Sequence, residues 1–343
     1  MSDPSAAFFV AGAIPLVLIG TIYERGARRR ATVERPVSTL RRASFITGIA
    51  AFLVSIEWPF AEWAHELFSV HQIGIIIARL IAPMLIVCSR PAGLLIAGLP
   101  RPVRQKMLKP GMSHPLVRRI WAFLALPPAA LSLYVATLYF WEIPAAQAEA
   151  ITEPAAGLVM HFSFFLAGLL FWSRVFERRA APHAPVHGWR LMMILIAVLS
   201  QILLGAYLTN KSAIFYPAYA ATQHLAGVAA IVDEQTGGFL IWVPSSFLSL
   251  LALIVAIDRW GRYETKMDEK RTRWSPSNSA ILLYPETARA LRAMTKTKNR
   301  RLAISMAAFV ALVFCAAFGS AIAGHRLSRR ENMRQYRLLH SED

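Results

Sequence analysis

The feature that most constrains this sequence is a set of apolar runs, each about as long as a bilayer is thick. A hydrocarbon core of ~30 Å requires ~20 helical residues at ~1.5 Å each. Because an open sheet edge cannot satisfy its backbone groups in lipid, we expect helices throughout. We predict an all-α integral membrane protein, a polytopic bundle of about eight transmembrane helices. The predicted spans are 4–23, 44–63, 70–88, 120–141, 155–175, 190–209, 238–257 and 302–324.

The composition agrees with a membrane protein, since 56% of the residues are hydrophobic and only 17% are charged. A net charge of +17 would suggest a nucleic-acid partner in a soluble protein. Here the basic residues form short clusters between apolar runs, so we interpret them as topology signals and expect no nucleic acid. The two cysteines, Cys88 and Cys315, lie in apolar runs and predict no disulfide framework.

The distribution of lysine and arginine predicts the orientation. Of the 37 basic residues, 29 lie in the segments 24–43, 101–119, 174–190 and 258–301. The connections 64–69, 142–154 and 210–237 together hold one, Lys211. Basic flanks resist translocation, so the first group is predicted to be cytoplasmic, and the N-terminus and the second group external. The five arginines after position 325 do not follow this rule. We expect a multi-pass protein of a bacterial inner (cytoplasmic) membrane, in contact with membrane lipid.

Three regions follow from this pattern. Residues 1–257 are predicted to form the transmembrane core. Residues 258–301 are predicted to be a cytoplasmic basic loop, in which the stretch after Pro285 begins an interfacial amphipathic helix. Residues 302–343 are predicted to be a further span and a basic tail. No nucleophile–base pair and no HExxH motif is found, so we expect no enzyme.

Four histidines are predicted to lie at or near the external face: His65, His71, His161 and His224. Met160 and the carboxylates of Glu57, Glu62, Glu66, Asp233 and Glu234 are predicted to lie in the same layer. Neutral imidazole commonly binds copper, zinc and iron, and a thioether favours Cu(I). An interfacial histidine also commonly hydrogen-bonds a carbonyl or a headgroup, and no two of these histidines are three or four residues apart. Spacing alone leaves both roles open.

Arg79 is predicted to lie near the membrane midplane, about nine residues into the third span. A charge at that depth is expensive unless it is paired. We expect Glu57 or Gln201 to be its partner, in a buried structural pair.

Three stretches of the sequence resemble the CtaG family, the multi-spanning caa3-type cytochrome c oxidase assembly factors. They are LFSVH at 67–71 with IAPML at 81–85 and Pro91; HFSF at 161–164 with GLLFW at 168–172; and Tyr216-Pro217 with DEQTGGFLIW at 233–242. The resemblance extends over about residues 44–257 and implies a seven-span core. It also implies a role in copper delivery to, or assembly of, a haem–copper oxidase.

The chain departs from the family pattern at three places. Ile75 stands where a second histidine is usual, Gly157–His161 replaces a His-x-x-Glu-His run, and Glu234 replaces a glutamine. The metal ligands that remain in the resemblance are His71, Met160, His161, His224 and Asp233. Of these, His71 and His161 can approach only if the fifth span adjoins the third.

Three functions are therefore considered. The first is a non-enzymatic assembly factor that binds copper at the external face and delivers it to a haem–copper oxidase. The second is a metal-free accessory or scaffold subunit of a respiratory membrane complex. The third is a b-haem electron carrier ligated by His71 and His161.

Overall fold

The computed structural model describes residues 4–31, 36–56, 60–177, 185–220, 228–274, 300–301, 304–306 and 308. The helices begin with α1 (Pro4–Ala31), α2 (Thr39–Ile56), α3 (Phe60–Glu66), α4 (Phe68–Ile76), α5 (Ala82–Ser89) and α6 (Ala92–Gly98). They continue with α7 (Arg101–Val103), α8 (Lys109–Ser113), α9 (Pro115–Leu124), α10 (Pro127–Trp141) and α11 (Pro144–Thr152). The last are α12 (Pro154–Val175), α13 (His187–Asn210), α14 (Pro217–Ala220) and α15 (Ala230–Trp274).

The described part of the chain contains no strand, which confirms the prediction of an all-α membrane protein. Within the described residues, five helices or continuous helical runs are long and apolar enough to cross a membrane, and α9 with α10 makes a sixth if the pair counts as one broken span. The five are Thr39–Ile56, Phe68–Ser89, Pro154–Val175, His187–Asn210 and Ala230–Glu269. The predicted first span lies in α1. The predicted eighth span and the helix after Pro285 lie outside the described residues, so the count of eight stays a prediction.

The chain divides into two compact units, residues 1–252 and 253–343. The first contains α1 to α14 and the start of α15, and it holds every site residue discussed below. The predicted boundaries at 257 and 301 are not tested by this division.

The predicted fourth span, 120–141, is not one helix. The chain breaks after Leu124, and α9 and α10 are inclined at 74° to each other. Pro127 and Pro128 are the cause, since proline is accommodated in the first turn of a helix and not in its interior. The apolar side chains of residues 120–124 therefore belong to a separate helix.

The third span is continuous from Phe68 to Ser89 but contains a π-helical turn at Ile77–Ile81. Pro83 has no N–H to donate to the carbonyl of Arg79, four residues earlier, so the regular α pattern cannot continue there. Gly168 of α12 lies against that same carbonyl, where any Cβ would collide. Small residues let helix backbones approach closely in membranes. This contact holds α12 beside the third span.

The connections of the first unit meet in two groups. At one end Arg29 donates to the carbonyl of Ala97 at 2.9 Å, and Arg41 donates to that of Ser89 at 3.0 Å. We call this the basic end. At the other end Asp233 accepts from the backbone of Phe68, and Tyr216 donates both to Glu142 and to the Lys211–Glu234 pair. We call this the histidine end. Connections that were predicted to share a side of the membrane are thus in contact.

Helix α6 packs along the C-terminal half of α1. Gly26 lies against the carbonyl of Leu94, and Gly98 lies against that of Ile22, both too closely for a Cβ. These two glycines therefore let the backbones of α1 and α6 approach closely.

Candidate functional site

His71 and His161 lie side by side at the histidine end. Their ring centroids are 6.0 Å apart and the ring planes are inclined at 20°. His71 belongs to the first turn of α4 and is 5% exposed. His161 belongs to α12, which is held against the third span by Gly168. The fifth predicted span thus adjoins the third, as an approach of these two histidines requires.

Each ring has one nitrogen fixed by a neighbour. Nδ1 of His161 lies 2.9 Å from the carbonyl oxygen of Gly157, and Nδ1 of His71 lies 2.7 Å from the hydroxyl of Tyr219. Gln147 donates to the same hydroxyl at 3.1 Å. A metal-binding histidine usually donates its second ring N–H to such an acceptor, which fixes the tautomer and orients the ring.

The second ring nitrogens face a confined space. Nε2 of His71 is buried and makes no hydrogen bond of normal geometry among the described residues, although the backbone of Ala64 lies next to the ring. The carbonyl of Ser55 lies next to the His161 ring. A Cβ on Gly74 would lie 3.4 Å from the Ser55 oxygen and 3.9 Å from Nε2 of His161. A methyl group at Gly74 would therefore make ordinary van der Waals contact with both groups.

Met160 and Asp233 contribute to the fold rather than to the histidine pair. Met160 is completely buried in the hydrophobic core with Leu138 and Phe164. Asp233 accepts hydrogen bonds from the backbone of Phe68 at 2.7 Å and Ser69 at 3.1 Å. Asp233 thereby caps the N-terminus of α4, although it is 165 residues away from Phe68.

His224 lies outside the described residues. Within the described residues, no group of three or more His, Cys, Asp or Glu side chains is arranged to hold a metal. The structure therefore brings together two of the five predicted ligands, and metal binding stays a prediction. His65 lies on α3, where its side chain is exposed.

A buried carboxyl group that the sequence did not single out lies near the histidine pair. Glu142 accepts hydrogen bonds from Nε2 of Gln72 at 2.8 Å and from the hydroxyl of Tyr216 at 3.0 Å. Burial raises the pKa of Glu142 to about 7, although these hydrogen bonds and the Lys211 and Arg79 charges oppose the shift. One signal was available: no Asp or Glu occurs from Leu67 to Trp141, so Glu142 is isolated at a span end.

Lys211 and Glu234 form an ion pair in which both side chains are buried. Glu234 also accepts hydrogen bonds from the backbone N–H groups of Phe215 and Tyr216, each at 2.9 Å. Burial lowers the pKa of Lys211, and the Glu234 carboxylate opposes that shift. Lys211, the one basic residue of the predicted external connections, is therefore paired with a residue in the first turns of α15.

The prediction that Arg79 pairs with Gln201 is wrong, because both polar side-chain atoms of Gln201 are buried without a hydrogen-bond partner in the described residues. Glu57, the other predicted partner, lies outside the described residues. Arg79 instead donates to the carbonyl of Tyr134 at 3.3 Å, and its guanidinium carbon lies 3.8 Å from the centroid of the Tyr134 ring. An aromatic face thus contacts the guanidinium charge.

One comparison with known proteins gives a match. The family model described as cytochrome c oxidase caa3 assembly factor (Caa3_CtaG) matches residues 21–263. The chain belongs to the Caa3_CtaG family. The match includes the histidine pair, the Asp233 cap and the Lys211–Glu234 pair of this family member. No curated protein and no solved structure matched the chain.

Proposed function

We propose that this chain assists the assembly of a haem–copper oxidase by binding copper at its external face and delivering it to that partner. Family membership supports the assembly role. The observation that carries the copper role is the pair His71 and His161, with 6.0 Å between their ring centroids. The orientation rests on the lysine and arginine distribution.

The separation of the two rings suits a shared metal. A metal–imidazole bond is ~2.0–2.1 Å long, so two nitrogens on one ion lie at most ~4.2 Å apart. Rings with centroids at 6.0 Å can present their Nε2 atoms at that distance. Tyr219 and Gly157 would then accept from the two Nδ1–H groups. Imidazole is a suitable ligand for copper.

A site with two imidazoles is suited to transfer rather than storage. Copper is the cargo, and it would leave by ligand exchange when a ligand of the oxidase subunit occupies an open coordination position. No covalent bond of a substrate is made or broken in this process, so it requires no catalytic residue. The protein's contribution would be to hold both rings in one tautomer and to keep lipid away from the ion.

The test is oxidase maturation in cells that lack this chain. Membranes are compared after complementation with wild type, His71→Ala, His161→Ala or the control His114→Ala, whose side chain is exposed. Equal amounts of each variant are confirmed by immunoblot. We expect oxidase copper and activity to be restored by wild type and the control alone. Restoration by all four would contradict the copper role.

A metal-free scaffold subunit is the second candidate, and one observation favours it. Asp233 and Met160, two of the predicted ligands, are engaged in a helix cap and in the core. A resident subunit of a respiratory complex would copurify with its partner at a fixed one-to-one ratio in mild detergent. An assembly factor would copurify with oxidase subunits at substoichiometric levels. The b-haem alternative stays a prediction, which a visible spectrum of the purified protein tests, because b haem gives a Soret band and Cu(I) does not.

A further inference from the structure

Helix α9 (Pro115–Leu124) has no buried residue, and every position from Lys109 to Phe123 is exposed. Five of its large apolar side chains are between 45% and 63% exposed. They are Leu116, Val117, Ile120, Trp121 and Phe123. Exposed apolar clusters of this kind mark contacts with membranes or with other proteins.

The exposed side chains of α9 are sorted around the helix. At ~100° per residue, the five apolar side chains and Leu124 fall within about 160° of the circumference. Arg118 and Arg119 fall on the opposite arc with Ala122. An apolar face with Trp and Phe opposite a basic face is typical of a helix that lies in the membrane interface.

The inclination of α9 agrees with a position in the membrane interface. The helix makes an angle of 74° with α10, so it lies close to the membrane plane when α10 crosses. The preceding segment approaches the basic end, where the connection 89–119 is hydrogen-bonded to the C-terminal part of α1 through Arg29. The apolar face of α9 can therefore enter the headgroup boundary beside the helix bundle.

The charge of residues 101–119 indicates which kind of lipid α9 contacts. Residues 101–119 contain six lysines and arginines, and no Asp or Glu occurs from Leu67 to Trp141. The segment thus lacks an acidic residue of its own to neutralise it. Anionic headgroups attract basic residues near the surface by ~1 kcal/mol each. A soluble acidic partner would neutralise these basic residues but would leave the side chains of Trp121 and Phe123 exposed to water.

We propose that α9 is an in-plane amphipathic helix that binds anionic phospholipid at the basic end through Arg118 and Arg119. This site is independent of the copper proposal, since it lies at the opposite end of the first unit from His71. It anchors the connection between the third and fourth spans and sets the depth of α10, which has only 15 residues.

Spin labels on the full chain test the position of α9. Both native cysteines are replaced by alanine, and single cysteines are placed at Arg119, Ile120, Trp121 and Ala122 in nanodiscs. We expect the labels at 120 and 121 to be accessible to oxygen and those at 119 and 122 to a water-soluble nickel chelate. A label at Leu133, which is exposed on α10, is the control for lipid. Uniform nickel accessibility, or a depth that increases steadily along α9, would overturn the proposal.

Lipid composition tests the headgroup. The label at 120 is compared in phosphatidylcholine and in a mixture with phosphatidylglycerol. We expect the label to insert more deeply in the mixture than in phosphatidylcholine. This difference in depth should be lost in Arg118→Gln/Arg119→Gln, because two arginines correspond to about thirty-fold in affinity for an anionic surface. The control is Arg262→Gln, an exposed arginine on α15. Equal insertion in both lipids would overturn the anionic preference.

Discussion

The carboxylate of Asp233 accepts a hydrogen bond from the backbone N–H of Phe68 at 2.7 Å and so closes the first turn of α4. It also accepts from the hydroxyl of Ser69 at 2.5 Å. Asp233→Ala should lower the free energy of unfolding by ~0.5–2 kcal/mol, because buried donors lose their acceptor. Asp233→Asn keeps an acceptor oxygen and should cost less. The measurement is unfolding in detergent, and equal stability of wild type and Asp233→Ala would contradict the capping role.

Glu142 should make the protein less stable as pH rises. Its folded pKa is about 7 against an ordinary value of 4.5, so the folded state retains a proton that the unfolded state has released. Stability should therefore fall between about pH 4.5 and pH 7, by up to ~3 kcal/mol at 1.36 kcal/mol per pKa unit. Thermal melts on either side of this window compare wild type with Glu142→Gln. The same fall in both proteins would show that Glu142 is not its source.

The buried pair Lys211–Glu234 should be costly to break from one side. Lys211→Met leaves the Glu234 carboxylate uncompensated, and loss of one member of a buried pair costs ~3–5 kcal/mol. Lys211→Met/Glu234→Gln removes the remaining charge and keeps an acceptor for Phe215 or Tyr216, so it should recover part of the loss. Lys109→Met, at an exposed position, is the control. If Lys211→Met is as stable as Lys109→Met, the ion pair between Lys211 and Glu234 does not stabilise the protein.

The contact of Arg79 with Tyr134 depends on the ring and the backbone carbonyl, not on the phenol group. The Tyr134 hydroxyl is buried without a hydrogen-bond partner among the described residues. Tyr134→Phe should therefore leave stability almost unchanged, whereas Tyr134→Leu removes the aromatic face and should cost at least the ~2 kcal/mol of a desolvated cation–π contact. If both variants melt at the same temperature, the ring contributes nothing to holding Arg79.

The fold was largely predictable because bilayer thickness alone sets the length of a span. Within the described residues α2 covers Thr39–Ile56 where 44–63 was predicted, and the fourth span departs further from its prediction. Its apolar run from Ile120 to Trp141 has the right length, but Pro127 and Pro128 divide it, and the amphipathic pattern of α9 was hidden within a longer hydrophobic stretch. Two successive prolines end the helical run here, whereas the single Pro244 lies inside α15.

The candidate site was predictable only in part. Histidines near one face could be identified, yet which of them meet depends on helix adjacency, which Gly168 and the turn at Ile77–Ile81 determine. The partners of Asp233 and Glu142 lie 165 and 70 residues away along the chain, beyond the reach of any local pattern. For Arg79 the pairing with Glu57 stays a prediction, and the Tyr134 ring and carbonyl that contact its guanidinium lie 55 residues further along the chain.

The most direct test of the copper proposal is a Cu(I) titration of the purified full-length chain against a colorimetric chelator. Wild type and the control His114→Ala should each take up one copper per chain. His71→Ala and His161→Ala should lose it, while Tyr219→Phe, which alters the group that orients His71, should weaken binding by about 10–100-fold. Equal copper uptake by wild type, His71→Ala and His161→Ala would contradict the proposed site and favour the metal-free scaffold.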